Sequence, residues 1–107
     1  MQGYQITFFT QQGKRYHGKP LGEWLLLLAR DLGLPGATLV AGSEGFGGHR
    51  RLHAAHFFEL ADQPQEVQVV ASEADTERLF ARIEAEGVHL FYVKAAVEFG
   101  TLGTPEA

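Results

Sequence analysis

Apolar residues along this chain recur with two different periods, and the places where the period changes mark out the elements. Residues 4–10 hold Tyr4, Ile6, Thr7, Phe8 and Phe9, the aromatic and β-branched mix of a strand. Residues 11–19 are polar, contain Gly13 and Gly18, and predict a loop. Pro20 then opens a helix, where its missing N–H costs nothing. Leu21, Trp24, Leu25, Leu28 and Leu32 follow with the spacing of one buried helical face. Gly33 ends that helix and Pro35 blocks its continuation.

Residues 37–41 form a short apolar run and a second strand. Residues 42–53 read as a loop, and residues 54–61, with His56-Phe57-Phe58-Glu59-Leu60, return as a strand. Residues 62–64 predict a turn and residues 67–71 the next strand. Ser72 is a good helix N-cap, and Asp75 is placed to answer it three positions on. Leu79, Phe80 and Ile83 form the second helix's stripe, which Gly87 ends. Residues 88–93 are the last clear strand, and residues 95–99 extend it. The order is β-α-β, a β excursion, then β-α-β. This is an α+β, ferredoxin-like split βαβ plan, β-α-β-β-α-β, with an antiparallel sheet and both helices on one face.

The strands also break the alternation expected of a sheet with one wet face. Adjacent apolar residues recur at Phe8-Phe9, Phe57-Phe58, Val69-Val70 and along Leu90-Phe91-Tyr92-Val93. Both faces read as apolar, so the second face must be covered, most simply by further copies of the chain.

Length and composition narrow the class. The 107 residues are one domain, with residues 1–103 folded and 104–107 a loose tail. With no cysteine, disulfides, thiolate zinc sites and cysteine nucleophiles are excluded. Nine basic residues face thirteen acidic ones, net −4, which argues against a nucleic-acid partner. The N-terminus lacks the pattern of a signal peptide and the longest apolar run, residues 24–29, is too short to span a membrane. A cytoplasmic location is expected.

The candidate chemistry lies in residues 42–53. Glycines at Gly42, Gly45, Gly47 and Gly48 let a backbone approach a ligand closely, and consecutive N–H groups can cradle an anion. Arg50 and Arg51 add guanidinium donors suited to phosphate or carboxylate. The segment is neither a P-loop, since Gly-Lys-Ser/Thr is absent, nor a dinucleotide fingerprint, since no helix follows. His49, His53 and His56 cluster nearby. Their spacing does not match a helical zinc motif, and on an extended chain His53 and His56 point to opposite faces. No nucleophile–base–orienter set is present, so an enzyme is not expected.

Several segments together resemble one family. They are Gly3-Tyr4-Gln5-Ile6-Thr7-Phe8-Phe9-Thr10, His17-Gly18-Lys19-Pro20-Leu21, Gly36-Ala37-Thr38-Leu39, Gly42-Ser43-Glu44-Gly45-Phe46-Gly47, His56-Phe57-Phe58-Glu59-Leu60, and Tyr92-Val93-Lys94 with Val97-Glu98-Phe99-Gly100. The chain is similar to the PII-like proteins grouped as "domain of unknown function 190", related in fold to nitrogen-regulatory PII proteins. The resemblance implies a homotrimer with ligand clefts between subunits. It further implies an adenine nucleotide or other small anion as effector, and a loop that docks on a target such as a membrane transporter. It points to Thr38, Gly45, Phe46 and Gly47 as cleft residues. Gly42, Ser43, Arg50, Arg51 and Lys94 join them as ligand-binding candidates. Two departures stand out. The spacing from Thr38 to Gly45 is one residue longer than in PII proteins. Glu86-Gly87-Val88-His89 also runs straight into a strand, where PII proteins carry a glycine-rich phosphate loop with a lysine. The alternative reading is a metal-binding trimer resembling the cation-tolerance proteins of the same fold, with His49, His53 and His56 as ligands.

Overall fold

Among the described residues ten elements follow one another: β1 (Gln2–Gln11), β2 (Arg15–Tyr16), β3 (Lys19–Pro20), α1 (Leu21–Asp31), β4 (Gly36–Ala41), β5 (Glu44–Phe46), β6 (Leu52–Ala54), β7 (Pro64–Ser72), α2 (Glu73–Ala85) and β8 (Phe91–Glu98). The computed structural model describes residues 1–42, 44–46, 52–54 and 63–105, with the backbone alone in β5 and β6. Four strands form one sheet in the order β4-β7-β1-β8, every neighbouring pair antiparallel. That is the expected ferredoxin-like α+β arrangement, with β4 and β8 as the two edges.

Register decides which side chains meet the helices. Ile6 lies opposite Val69 on one side and Lys94 on the other, and Phe8 opposite Val67 and Tyr92. Ala37 and Leu39 continue these rows into β4. Ile6, Val67, Val69, Leu25 and Leu79 are the largest fully buried side chains, so the core lies between this face and the two helices. Burying a side chain of this size stabilises the fold by about 1.5–3 kcal/mol. Leu21, Leu25 and Leu28 of the expected α1 stripe are buried, and Trp24 and Leu32 half-buried. The opposite sheet face is mixed. Phe9, Phe91, Val93 and Val40 are exposed on it, but Thr7, Gln68 and Glu66 stand among them. The expectation of an apolar second face therefore holds for part of that face only.

Both helices stop by the same device. After α1, the Gly33 N–H donates to Arg30 O at 3.0 Å and the Leu34 N–H to Ala29 O at 3.1 Å. After α2, the Gly87 N–H donates to Glu84 O at 3.0 Å and the Val88 N–H to Ile83 O at 3.4 Å. These are Schellman pairs, and Gly33 and Gly87 supply the positive φ they need, 77° and 72°. At the start of α2 the Ser72 Oγ accepts from the Asp75 N–H at 3.2 Å, as the sequence predicts.

Three boundaries differ from expectation. Residues 15–20, read as loop and helix start, contain the two-residue strands β2 and β3, and Pro20 is the cap before α1 rather than its first residue. Residues 88–90 are not strand. Val88 closes the Schellman pair, so β8 starts at Phe91. Within the expected loop, Glu44 to Phe46 pairs antiparallel with Leu52 to Ala54. Of the strand expected over 54–61, only Ala54, at the end of β6, is among the described residues. Among the described residues no helix is long and apolar enough to cross a membrane.

Candidate functional site

The excursion between β4 and β7 leaves the sheet at a fixed base. Ala41 pairs with Gln65 in register, and just beyond it the Gly42 N–H donates to Pro64 O at 2.8 Å. The β1 end reaches the same place, where the Gln12 N–H donates to Gln63 O at 3.0 Å. Gly42 is a tight fit: a Cβ there would lie 3.3 Å from the Pro64 Cγ. The chain then forms the β5–β6 ribbon, in which Gly45 is the partner of His53 and Phe46 of Leu52. An excursion of this length in a small domain is characteristic of a functional segment.

The expected site residues fall into three groups. Gly42, Gly45 and Phe46 lie on the base and first strand of the excursion. Thr38 precedes them on β4, exposed, on the sheet face away from the helices. Ser43, Gly47, Arg50 and Arg51 lie outside the described residues, as do His49 and His56. Among the described residues no group of three or more His, Cys, Asp or Glu could hold a metal ion.

Lys94 stands apart. It lies on β8, at the other edge of the sheet, with β1 and β7 between it and β4, a separation of about 14 Å. Among the described residues of the chain nothing brings it to the excursion. Its Nζ sits 4.5 Å from the centre of the Tyr4 ring and 5.7 Å from that of Phe80. These contacts place it in a groove of about 280 Å³ between α2 and β8.

A second cluster has no counterpart in the sequence reading. The Tyr16 hydroxyl lies 2.7 Å from Glu86 Oε2 and 3.0 Å from the Glu86 carbonyl. It ties the β2–β3 turn to the end of α2, 70 positions away. Arg82 Nε lies 3.4 Å from Glu86 Oε1, and His17 Nε2 lies 3.8 Å from Glu86 Oε2. The Tyr16 hydrogen bond, with Arg82 and His17, holds the Glu86 carboxyl below its ordinary value, and the same bond raises the Tyr16 phenol. The cluster braces the start of the α2–β8 connection. No local pattern in the sequence links two residues so far apart.

The same fold and sequence pattern recur in known proteins. The chain is 27% identical over 82 residues to a UPF0166 protein of Aquifex aeolicus (strain VF5), covering 76% of this chain and 78% of that one. The fold matches CPII, a nitrogen regulatory PII-like protein from Thiomonas intermedia K12, bound to ADP, AMP and bicarbonate. The TM-score is 0.68 at 15% identity, over 94% of this chain and 91% of the other. It also matches a putative PII-like signaling protein of Thermus thermophilus, with TM-score 0.63 at 16% identity over 90% and 85% of the two chains. At such identities the likeness is one of fold. The sequence itself matches the family model DUF190 (Uncharacterized ACR, COG1993) over residues 3–96, and the chain belongs to that family.

Proposed function

We propose that this protein is a PII-like regulator that binds a small anionic effector and passes the signal to a partner protein. The observation that carries the reading is the excursion between β4 and β7, hung from a hydrogen-bonded base on a PII-like fold. A fixed base with a chain of glycines and two arginines beyond it is the arrangement a ligand-responsive segment needs.

The effector class follows from those donors. Backbone N–H groups near Gly45 and Gly47, with the Arg50 and Arg51 guanidiniums, suit phosphate or carboxylate oxygens. An adenine nucleotide fits this chemistry, and the similarly folded CPII is bound to ADP, AMP and bicarbonate. In this reading three chains assemble through the sheet face away from the helices, and the clefts between them hold the ligand beside Thr38 and the excursion. The protein works in the cytoplasm as a binding protein rather than an enzyme, and its target is another protein, such as a membrane transporter.

Calorimetry against ADP, AMP, ATP, cyclic AMP and bicarbonate tests this. At least one should bind saturably, with one site per chain. Arg50→Ala/Arg51→Ala should weaken that binding roughly tenfold or more. Failure of every ligand to bind, or full binding by the double variant, would sink the reading.

A further inference from the structure

The groove between α2 and β8 carries carboxylates that no cation among the described residues pairs. Glu73, Glu77, Phe80 and Glu84 stand at i, i+4, i+7 and i+11 on α2, a single stripe along the helix. That stripe is one wall of the groove, and Tyr4 and Lys94 help to close it from the sheet side. The other acidic residues of this region are answered. Asp75 Oδ1 lies 3.5 Å from Arg78 Nη1, and Glu86 Oε1 lies 3.4 Å from Arg82 Nε. Glu73, Glu77 and Glu84 meet no basic group at ion-pair distance among the described residues, Lys94 included. Glu73, in the first turn of α2, is favoured by the positive end of the helix, but it stands at i, i+4 from Glu77, a like-charge spacing that destabilises a helix, and no cation answers Glu77 or Glu84 among the described residues.

The groove does not end with the acids. A second hollow of about 130 Å³ shares Phe80 and Glu84 with it and continues among Phe8, Ile83, Val88, Leu90 and Tyr92. The joint surface is therefore elongated, with Glu73 and Glu77 at one end, Glu84 at the junction and apolar side chains at the other end. Glu73 to Glu84 alone spans about 16 Å of helix. A monoamine is too short to span such a surface, and a longer polyamine has no apolar side chain for the second hollow. α2 packs over β1 and β7, and β8 beyond it keeps Tyr92 and Lys94 exposed on the same side. A trimer built on the opposite sheet face leaves this groove in water.

We propose that the α2–β8 groove docks a segment of a partner protein that carries basic side chains at one end and apolar ones at the other. Its guanidinium or ammonium groups pair with Glu73, Glu77 and Glu84, and its apolar residues lie against Phe80, Tyr92 and Leu90. Lys94, held on Tyr4 and Phe80, repels a wrongly registered cation and so helps set the position of the segment.

The test needs no nucleotide. A short labelled peptide with arginines in one half and leucines in the other is titrated into the whole protein by fluorescence anisotropy. Glu77→Gln/Glu84→Gln should weaken binding roughly tenfold, since two ion pairs are lost, and added salt should weaken the wild type in the same sense. Lys94→Met should strengthen binding a few-fold. Thermal melts check that both variants fold; removing like charges from α2 should not lower their stability. The proposal is overturned by no binding, by equal binding to the glutamine variant, or by equal binding of a peptide with glutamate for arginine. It is also overturned if spermine displaces the peptide at matched charge, which makes the groove a small-amine site, or if the glutamine variant changes the oligomer, which makes it a contact between copies.

Discussion

The hydroxyl of Tyr16 donates to the carboxylate of Glu86 at 2.7 Å, joining β2 to the residue that caps the C-terminus of α2. The bond makes stability depend on pH at both ends of the scale. Glu86 is held below its ordinary value of 4.5, so its contribution is present above that pH and is lost as pH falls through the lowered value. Tyr16 is raised above 10.0, so its contribution is present below pH 10 and is lost as pH rises through the raised value. Tyr16→Phe should lower the melting temperature near pH 7, and the gap to wild type should narrow in acid, well below pH 4.5, where the bond to the Glu86 carbonyl is left, and close in alkali, well above pH 10. A gap that persists unchanged in acid and closes only in alkali would assign the loss to the hydroxyl's bond to the Glu86 carbonyl, 3.0 Å away, rather than to the carboxylate.

Ser72 carries the start of α2 almost alone. Its Oγ accepts from the Asp75 N–H, and its carbonyl accepts from the Thr76 hydroxyl at 2.8 Å. Ser72→Ala removes the first bond and keeps the second. It should cost about 1 kcal/mol in urea unfolding, and Ser72→Asp should recover most of that. If alanine is neutral, the Thr76 bond alone fixes the helix start.

Two glycines distinguish backbone crowding from side-chain crowding. A Cβ on Gly3 would run into the Ala71 carbonyl oxygen of the paired strand and come within 2.7 Å of the Phe99 ring. Neither β1 nor β7 can move without breaking the sheet, so Gly3→Ala should cost about 3 kcal/mol. A Cβ on Gly22 would meet only side-chain ends, Leu39 Cδ1 at 3.0 Å and Gln65 Oε1 at 3.2 Å. Alanine's helix preference offsets the small shifts those ends must make. Gly22→Ala should therefore stay within about 1 kcal/mol of wild type. Denaturant midpoints for the two variants, measured together, decide the matter.

What the sequence makes legible is what depends on near neighbours. Ser72 with Asp75, and Gly33 with Pro35, are local signals, and the structure keeps both helix ends where they point. The β8 boundary escapes such signals because Val88 is as apolar as a strand residue, yet its N–H is taken up by Ile83 at the end of α2. Lys94 is legible as a cation of interest, but its place is not. Only the register opposite Ile6 puts it over Tyr4 and beside α2 rather than near the excursion. The Glu73-Glu77-Phe80-Glu84 stripe is present in the spacing and carries no meaning until β8 is seen to lie beside it. Tyr16 and Glu86 meet only because the sheet order brings two distant turns together.

Phe9 and Phe91 give the oligomer expectation its sharpest test. They are register partners on the sheet face away from the helices, with ring centres 5.5 Å apart, and Phe91 is 69% exposed in the single chain. Val93 and Val40 are exposed on the same face. None of these side chains belongs to the core between sheet and helices, so replacing them should leave the subunit folded. Wild type should run as three chains in light scattering coupled to gel filtration. Phe9→Ser/Phe91→Ser should run as one chain with an unchanged far-ultraviolet circular dichroism spectrum, because the apolar area that joins the copies is gone while the core is intact. A wild type that is already monomeric, or a double variant that remains trimeric, would show that this face does not join subunits. The polar residues between the aromatics, Thr7 and Gln68, would then be the better guide to what the face meets, which is water.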